Sequence, residues 1–167
     1  MTGYHDFDAK AMVIEQGRHK NFDRHTTQVI LTYPDYFKVF QYQWLAGKPE
    51  VLAKPMQVVL TENRARAYFG SIDLQEIIGK NVTYNDSLIV TIAGVVRDWS
   101  GNSDFKHTEF ISYSTIENTF LRKFLHVDVW DRMTHGTQSF IKLSPGDDPD
   151  EIASQLTRII EKHGAKG

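Results

Sequence analysis

Apolar residues recur along this chain with two different periods, and each period predicts a different kind of element. Between residues 82 and 92 the apolar side chains alternate with polar ones on either side of Asn85 and Asp86. Because alternate residues of a strand face the same side and Asn and Asp favour tight turns, this pattern predicts a β-hairpin. Gly94 lies in the returning strand, where a glycine indicates a bulge or a close approach of another backbone.

Helical spacing of apolar residues marks four further segments. Segment 34–40 begins with a proline, which is a frequent first helical residue, and segment 62–69 follows Thr61, a residue type that caps helices. Ser114 and Asp148 each stand three residues before a glutamate, which is the spacing of a capping box and predicts two more helices. The faces expected to be buried are Ile116, Phe120 and Phe124 in the third helix and Ile152, Leu156, Ile159 and Ile160 in the fourth.

Short apolar runs rich in β-branched residues predict the remaining strands, at 26–32, 57–60, 110–113 and 137–143. Strands and helices therefore alternate irregularly, with one clear hairpin. This order favours an α+β fold, or split βαβ units, over a doubly wound parallel sheet.

The first 26 residues differ from the rest because most of them are polar. Their one apolar run, residues 11–14, predicts a single short strand. The residues that follow, 17–21, begin with a glycine and are otherwise polar, which indicates a turn or loop.

Composition narrows the class of protein. The chain has 167 residues, of which 41% are hydrophobic and 24% charged, and these values are typical of one folded domain, with or without a small lobe. Its formal charge of −2 leaves no basic surface of the kind that binds nucleic acid. The longest apolar run, 92–96, is far shorter than the roughly 20 residues of a membrane-spanning helix. The absence of cysteine excludes disulfides, cysteine-ligated metals and thiol catalysis.

No group of residues has the spacing of a known catalytic or metal-binding motif. His126, Asp128, Asp131 and His135 are the densest group of candidate ligands, and a hydrolytic or metal site there competes with the simpler interpretation of a solvated polar loop. The acidic cluster at 147–151 suits the N-terminus of a helix. The chain contains neither a serine nucleophile elbow nor a glycine-rich phosphate loop. We therefore predict that the protein is not an enzyme and has no catalytic, cofactor-binding or metal-binding residues.

The segment 33–44 holds six aromatic residues in twelve positions. Such density is typical either of an apolar binding cleft or interface, or of a short helix packed into the core. The rings best placed to contact a ligand or an interface are Tyr36, Phe40, Tyr42 and Trp44.

In the helix at 62–69, Arg64 and Arg66 are expected to point into water.

Several short motifs occur together in one order along the chain. They are YPDYFKVF at 33–40, LAGKP at 45–49, VVLTE at 58–62, AYFG at 67–70, IGK at 78–80, TIAGVVRD at 91–98, NSDF at 102–105 and PGDDP at 145–149. In this order and spacing they resemble the periplasmic core domain of MacB-type, FtsX-like ABC transporter permeases, as found in Bacteroidetes. The resemblance implies a polar N-terminal segment at 1–26, the core domain at 27–163 and a short tail at 164–167.

The resemblance implies a role rather than a reaction. Permeases of this kind carry the domain on the extracytoplasmic side, between their first and second membrane helices, so the chain is expected to be a fragment from the periplasmic face of a bacterial inner membrane. The implied fold is a porter-like split βαβ module with a smaller β-rich lobe. The implied partners are a cytoplasmic ATP-binding subunit, a second permease protomer, and an adaptor or exported substrate. No cofactor is implied.

A second function from a different class remains open at this point. The same aromatic residues, Tyr36, Phe40, Tyr42 and Trp44, would suit the pocket of an extracytoplasmic sensor domain that binds a small ligand. The position of these rings in the fold bears on the choice between a transporter domain and a ligand-binding sensor domain.

Overall fold

The computed structural model describes residues 1–24, 28–70, 73–101, 105–127, 129 and 136–163. The ten strands in these residues form one sheet, with the spatial order β10-β1-β4-β9-β6-β8-β7-β2-β3 and with β5 paired to β8. The strands are β1 (Thr2–Phe7), β2 (Ala11–Glu15), β3 (Arg18–Phe22), β4 (Val29–Thr32), β5 (Trp44–Ala46), β6 (Gln57–Thr61), β7 (Asn81–Tyr84), β8 (Leu88–Val96), β9 (Glu109–Ser112) and β10 (Thr137–Phe140). The helices are α1 (Asp35–Phe40), α2 (Glu62–Phe69), α3 (Leu74–Ile77), α4 (Ser114–Glu117), α5 (Leu121–Phe124) and α6 (Pro149–His163), with a 3₁₀ turn at Pro49–Ala53.

The sheet is mixed. Strand β4 runs parallel to β9 and β6 runs parallel to β8, whereas the other pairs are antiparallel. A parallel pair needs a crossover connection, and α2 and α3 lie in the crossover from β6 to β8. Strands β2, β3 and β7 extend one side of the sheet as its β-rich part. The predicted α+β fold with split βαβ units is confirmed.

The core has two parts because successive residues of a strand face opposite sides of the sheet. In β4, Leu31 packs in the first cluster and Ile30 in the second, and in β9 Ile111 and Phe110 are divided in the same way. Helix α2 contributes Ala65, Tyr68 and Phe69 to the first cluster, and α1 contributes Tyr36 and Phe37 to the second.

The hairpin predicted between residues 82 and 92 is confirmed, with Asn85 and Asp86 at positive φ of 46° and 58° in its turn. The expectation for Gly94 is also confirmed. The register between β6 and β8 shifts beside it, and a Cβ built on Gly94 would lie 2.6 Å from Cζ3 of Trp44. Only a glycine allows the Trp44 ring to lie that close to the β8 backbone.

The N-terminal prediction is wrong in one respect. Residues 17–21 were expected to form a loop, but Arg18–Phe22 is strand β3, paired antiparallel with β2. Thr2–Phe7 is also a strand, which the polar sequence did not indicate. Strand β3 lies at the edge of the sheet, so most of its side chains are exposed and no apolar alternation is needed. Its strand conformation depends on backbone pairing with β2.

The third predicted helix is divided into α4 and α5. Ile116 is buried as expected, but Phe120 and Phe124 are 50% and 65% exposed. Ser114 lies inside α4 rather than capping it, and its hydroxyl is 2.7 Å from that of Ser112. The predicted buried face of this segment is therefore wrong beyond Ile116.

Helix α6 begins where predicted, because Oδ1 of Asp148 accepts a hydrogen bond of 2.9 Å from the backbone N–H of Asp150. Its apolar stripe is not buried. Leu156, Ile159 and Ile160 are 44%, 48% and 65% exposed. Among the described residues, no helix combines the length and apolar character needed to cross a membrane.

Candidate functional site

Two of the four rings predicted to make contacts, Tyr36 and Tyr42, are buried in the second core cluster. Tyr36 packs against Phe40, with ring centroids 4.4 Å apart, and lies 6.2 Å from Tyr42 in a stacked arrangement. Burial raises the pKa of Tyr42 to about 12 and that of Tyr36 further still, so both phenols stay neutral at physiological pH. Trp99, 47% exposed, covers Tyr42 at 5.5 Å.

Phe40 and Trp44 are half-buried at the margin of the same cluster. Phe40 contacts Phe105 and Phe140, and Trp44 contacts Phe37 at 4.9 Å and the backbone at Gly94. The three cavities described below do not have any of the four predicted rings in their lining. The role of the four rings in binding a ligand or partner stays a prediction.

A buried carboxylate lies on the other face of the sheet. Glu109 of β9 is fully buried, and its Oε2 accepts hydrogen bonds from the hydroxyls of Tyr68, at 2.7 Å, and Tyr84. Nε of Arg64 lies 3.3 Å from Oε1 of Glu109, and the guanidinium of Arg64 lies 5.5 Å from the centre of the Tyr68 ring. The expectation that Arg64 points into water is therefore wrong, because its side chain is only 10% exposed. Arg66 is exposed and pairs with Glu62.

Burial dominates the electrostatics of this network. Burial raises the pKa of Glu109, while the charge of Arg64 and the two tyrosine hydroxyls oppose the increase. The same burial, together with the neighbouring carboxylate, raises the pKa of Tyr68 and of Tyr84. The tyrosines therefore act as hydrogen-bond donors to the carboxylate. This arrangement joins β9, α2 and β7 inside the core, where a substrate has no access.

Sequence reasoning missed Glu109, although a signal was present. Glu109 stands two residues before Ile111, so in a strand both face the same side, and Ile111 faces the core. A glutamate at a core position needs donors nearby, and two tyrosines on apolar faces, Tyr68 and Tyr84, were available. What the chain order does not show is that these groups meet.

A groove of about 630 Å³ lies where β1 and β10 meet the start of α1. Tyr33 and Tyr113 stack at its side, with ring centroids 4.4 Å apart and planes 23° from parallel. Burial and the neighbouring Tyr113 raise the pKa of Tyr33 to about 12. Asp35 and Lys38 line the groove as an ion pair of 2.8 Å.

A smaller cavity, of about 280 Å³, includes Asp6, Lys106 and His107 in its lining. The His107 ring packs against Tyr4 with centroids 4.7 Å apart, and burial lowers the pKa of His107 to about 4. Burial raises the pKa of Asp6. A third cavity, of about 350 Å³, is lined by residues of β2, β3 and β7 together with Lys10 and Asp86.

The described part of the chain has no group of three or more His, Asp or Glu side chains placed to hold a metal ion. Of the candidate ligands weighed from the sequence, His126 is described and has a positive φ of 51°. Asp128, Asp131 and His135 lie outside the described residues.

Comparison with known proteins identifies a family whose model matches most of this chain. The family model described as "MacB-like periplasmic core domain" matches residues 5–159. No curated protein matches the sequence significantly.

Solved structures have the same fold at low sequence identity. A domain described as that of a permease protein from Porphyromonas gingivalis has a TM-score of 0.69 at 18% identity, and it covers 97% of this chain and 63% of its own. The periplasmic region of MacB from Actinobacillus actinomycetemcomitans has a TM-score of 0.61 at 16% identity, over 96% of this chain and 65% of its own. The extracellular domain of the ABC-type transporter YknZ from Gram-positive bacteria has a TM-score of 0.51 at 12% identity, over 71% of this chain and 57% of its own. The chain thus spans less than two thirds of the length of each structure.

Proposed function

The chain belongs to the family of MacB-like periplasmic core domains, and on that premise we propose that it is the extracytoplasmic domain of an ABC transporter permease that transmits ATPase-driven conformational change across the membrane. The observation that carries this proposal is the family match over residues 5–159. In this role the domain is non-catalytic and is located at the periplasmic face of the inner membrane.

The pairing of β1 with β10 supports the proposal. The two strands are antiparallel neighbours, and their register places Thr2 opposite Phe140. The backbone that leads into β1 and the backbone that leaves β10 therefore lie side by side at the same end of the sheet. A domain inserted between two membrane helices needs its connections near one end, and this pairing brings the residues that lead into α6 (Pro149–His163) to the end of the sheet where β1 begins.

The centre of the sheet suits the transmission of movement. Strands β4 and β9 are buried along their whole length, and so is β6 beyond its half-buried first residue. A sheet packed at core density on both faces resists compression and moves as one body when its end is displaced. Its buried hydrogen-bonded network at Glu109 joins α2 and β7 to the same body.

The proposed partners follow from the same premise. They are a cytoplasmic ATP-binding subunit or domain, a second permease protomer, and an adaptor or an exported substrate. The exposed parts of Phe40 and Trp44, at the margin of the aromatic cluster, are the proposed contact with one of these partners. The deeper rings, Tyr36 and Tyr42, would hold that margin in place.

Distance measurements in the intact transporter test the proposal. The chain has no cysteine, so Ile89→Cys, at a position 53% exposed on β8, provides one specific label for each protomer within this domain. In the reconstituted permease with its ATPase, we expect ATP to change the distance between the two labels. An ATPase variant that binds ATP without hydrolysing it should arrest the change in one state.

A second pair of labels distinguishes movement of the domain from deformation within it. Lys38 is 65% exposed, and Lys38→Cys combined with Ile89→Cys reports a distance inside one domain. This distance should stay constant during the cycle. A distance between protomers that is the same with and without ATP would contradict the proposal, and so would a parent protein without membrane segments or an ATPase.

A further inference from the structure

Helix α6 carries an apolar face that no described element of the domain covers. The face consists of Ile152, Leu156, Ile159 and Ile160, which recur at helical spacing. Ile152 is half-buried, and every other side chain from Pro149 to Lys162 is exposed. Contact with water makes an apolar surface of this kind unfavourable, so it is suited to packing against another molecule.

The charged side chains along one side of this face are arranged by sign. At about 3.6 residues per turn, Glu151, Gln155, Arg158 and Lys162 lie along the same side of the helix. Nε2 of Gln155 donates a hydrogen bond of 3.5 Å to Oε1 of Glu151, which places these two side chains together. The three charged residues are exposed and have no ion-pair partner among the described residues. This side of the helix is therefore negative at its start and positive towards its end.

A second copy of the helix complements this pattern when the two helices run antiparallel. In an antiparallel pair with two-fold symmetry, each side of one helix lies beside the same side of the other. If Gln155 faces Gln155 of the second copy, Glu151 lies beside Arg158 of the second copy, and symmetry repeats this contact. The two helix dipoles also attract in this orientation. A parallel pair would instead place the charged side beside the side that holds Ala153 and Thr157, which have no charge.

We propose that α6 binds a second copy of itself as an antiparallel pair, with the apolar faces in contact and Glu151 of each copy beside Arg158 of the other. The 15 residues of α6 extend over about 22 Å, so the pair buries less surface than the roughly 1,200 Å² of a stable complex. We therefore expect a weak dimer of the free chain, with a Kd of about 0.1 mM.

The place of this pair in a transporter rests on the proposed function, because there the second copy is the other permease protomer. Attachment of both copies to one membrane assembly raises their effective concentration to about the mM range. A contact that is weak between free chains would then be formed in the assembled permease. The pairing itself depends on this chain alone and can be measured without a membrane or an ATPase.

Sedimentation equilibrium of the chain from about 5 μM to about 1 mM measures the self-association. Leu156→Ser combined with Ile159→Ser removes much of the apolar face and should weaken the dimer at least about tenfold. Ile14→Ser is the matched control, because Ile14 is a 56% exposed isoleucine on β2, and it should leave the Kd unchanged. All three substituted side chains are exposed, and circular dichroism at low concentration reports whether each variant is folded.

Charge reversal tests the antiparallel arrangement. Arg158→Glu places two glutamates side by side in the dimer and Glu151→Arg places two arginines side by side, so each variant alone should dimerise about tenfold more weakly. In an equal mixture of the two variants, the heterodimer has opposite charges at both contacts, and dimerisation should recover at least to the level of the unmodified chain. Lys123→Glu, at an exposed lysine on α5, is the matched control and should have no effect.

Four results would overturn the proposal. The first is a chain that stays monomeric at about 1 mM, and the second is a dimer that the combined Leu156→Ser and Ile159→Ser substitutions leave unchanged. The third is a mixture of the two charge variants that associates no better than either alone. The fourth is unfolding of the Leu156→Ser, Ile159→Ser variant at low concentration, which would show that the apolar face packs within its own domain.

Failure of this pairing and failure of the proposed function give different results. A monomeric chain would leave intact the expected ATP-dependent change of distance between the Ile89→Cys labels of the two protomers. Conversely, a dimer that responds to the charge variants as described, together with a distance that ATP does not change, would reject the proposed function and keep the α6 pair.

Discussion

Tyr68 donates its hydroxyl hydrogen to Oε2 of Glu109 over 2.7 Å, and this bond joins helix α2 to strand β9 inside the core. The same oxygen accepts a hydrogen bond from Tyr84 of β7, although β6 and β8 lie between β7 and β9 in the sheet. One buried carboxylate thus connects parts of the domain that are not neighbours in the sheet. Breaking one of these bonds should affect the stability of the whole domain rather than one strand.

The hydroxyl of Tyr84 should therefore contribute measurably to stability. Tyr84→Phe keeps the ring and leaves Glu109 with one donor fewer in a fully buried position. We expect a decrease of about 1–3 kcal/mol in the free energy of unfolding, measured by urea denaturation at pH 7. Tyr33→Phe, at the half-exposed Tyr33, is the control and should cost less than about 0.5 kcal/mol. An equal effect of both substitutions would refute the special role of the Tyr84 hydroxyl.

Replacement of Glu109 should change how stability depends on pH. Burial raises the pKa of Glu109, so the folded protein binds this proton more tightly than the unfolded chain does. Its contribution to stability is therefore present below the ordinary glutamate pKa of 4.5 and is lost as the pH rises through the raised value. Glu109→Gln cannot ionise, so its stability relative to the unmodified protein should increase with pH across that window. Urea denaturation from pH 4.5 to 8 measures the difference, and a constant difference would argue against a raised pKa.

The contribution of His107 to stability should depend on pH in the opposite direction to that of Glu109. Burial lowers the pKa of His107 from 6.5 to about 4, so the unfolded chain binds this proton more readily than the folded protein does. The stability from this group is complete above pH 6.5 and is lost as the pH falls towards 4, by up to about 3 kcal/mol. His107→Gln should remove this loss on acidification. At pH 7.5 the histidine is already neutral in both states, so a comparison of the two proteins there isolates the cost of altered packing against Tyr4.

The close approach of Trp44 to Gly94 should appear as coupling between the two positions. Gly94→Ala places a Cβ 2.6 Å from Cζ3 of Trp44, and we expect a cost of about 1–3 kcal/mol from overpacking. Trp44→Leu withdraws the ring, so Gly94→Ala should cost less in that background. A double-mutant cycle by thermal or urea unfolding measures the coupling, and strictly additive effects would mean that the ring does not limit residue 94.

The apolar stripe of α6 should contribute little to the stability of this chain. Ile160 is 65% exposed, so Ile160→Ser should change the free energy of unfolding by less than about 0.5 kcal/mol. Ile116→Ala, at a fully buried position on α4, should cost about 2–5 kcal/mol. Urea denaturation of both variants provides the comparison. A loss of more than 2 kcal/mol at Ile160 would show that the helix packs against the rest of the domain in solution.

Local sequence patterns were sufficient to predict the elements that are stabilised by interactions between residues close together in the chain. The bounds of α2 could be predicted because Thr61 precedes an apolar helical face, and the hairpin because alternation surrounds Asn85 and Asp86. The α+β class followed from the order of these elements, and the family from motifs in a fixed order, which the match over residues 5–159 confirms. Strand β3 was missed because most side chains of this edge strand are exposed, so its sequence does not need alternating apolar and polar residues.

The candidate sites depended on contacts between residues far apart in the chain. Tyr68 and Glu109 are separated by 41 positions, and no local period shows that they meet. The same holds for Arg64, which helical periodicity placed in water, and for the stacked pair Tyr33 and Tyr113. The sequence by itself determined the elements that have a local pattern, the fold class and the family, since propensity, capping and alternation act over a few residues. Only the tertiary structure decided which polar groups are buried together and which apolar faces stay exposed, because these depend on how the strands are ordered in the sheet.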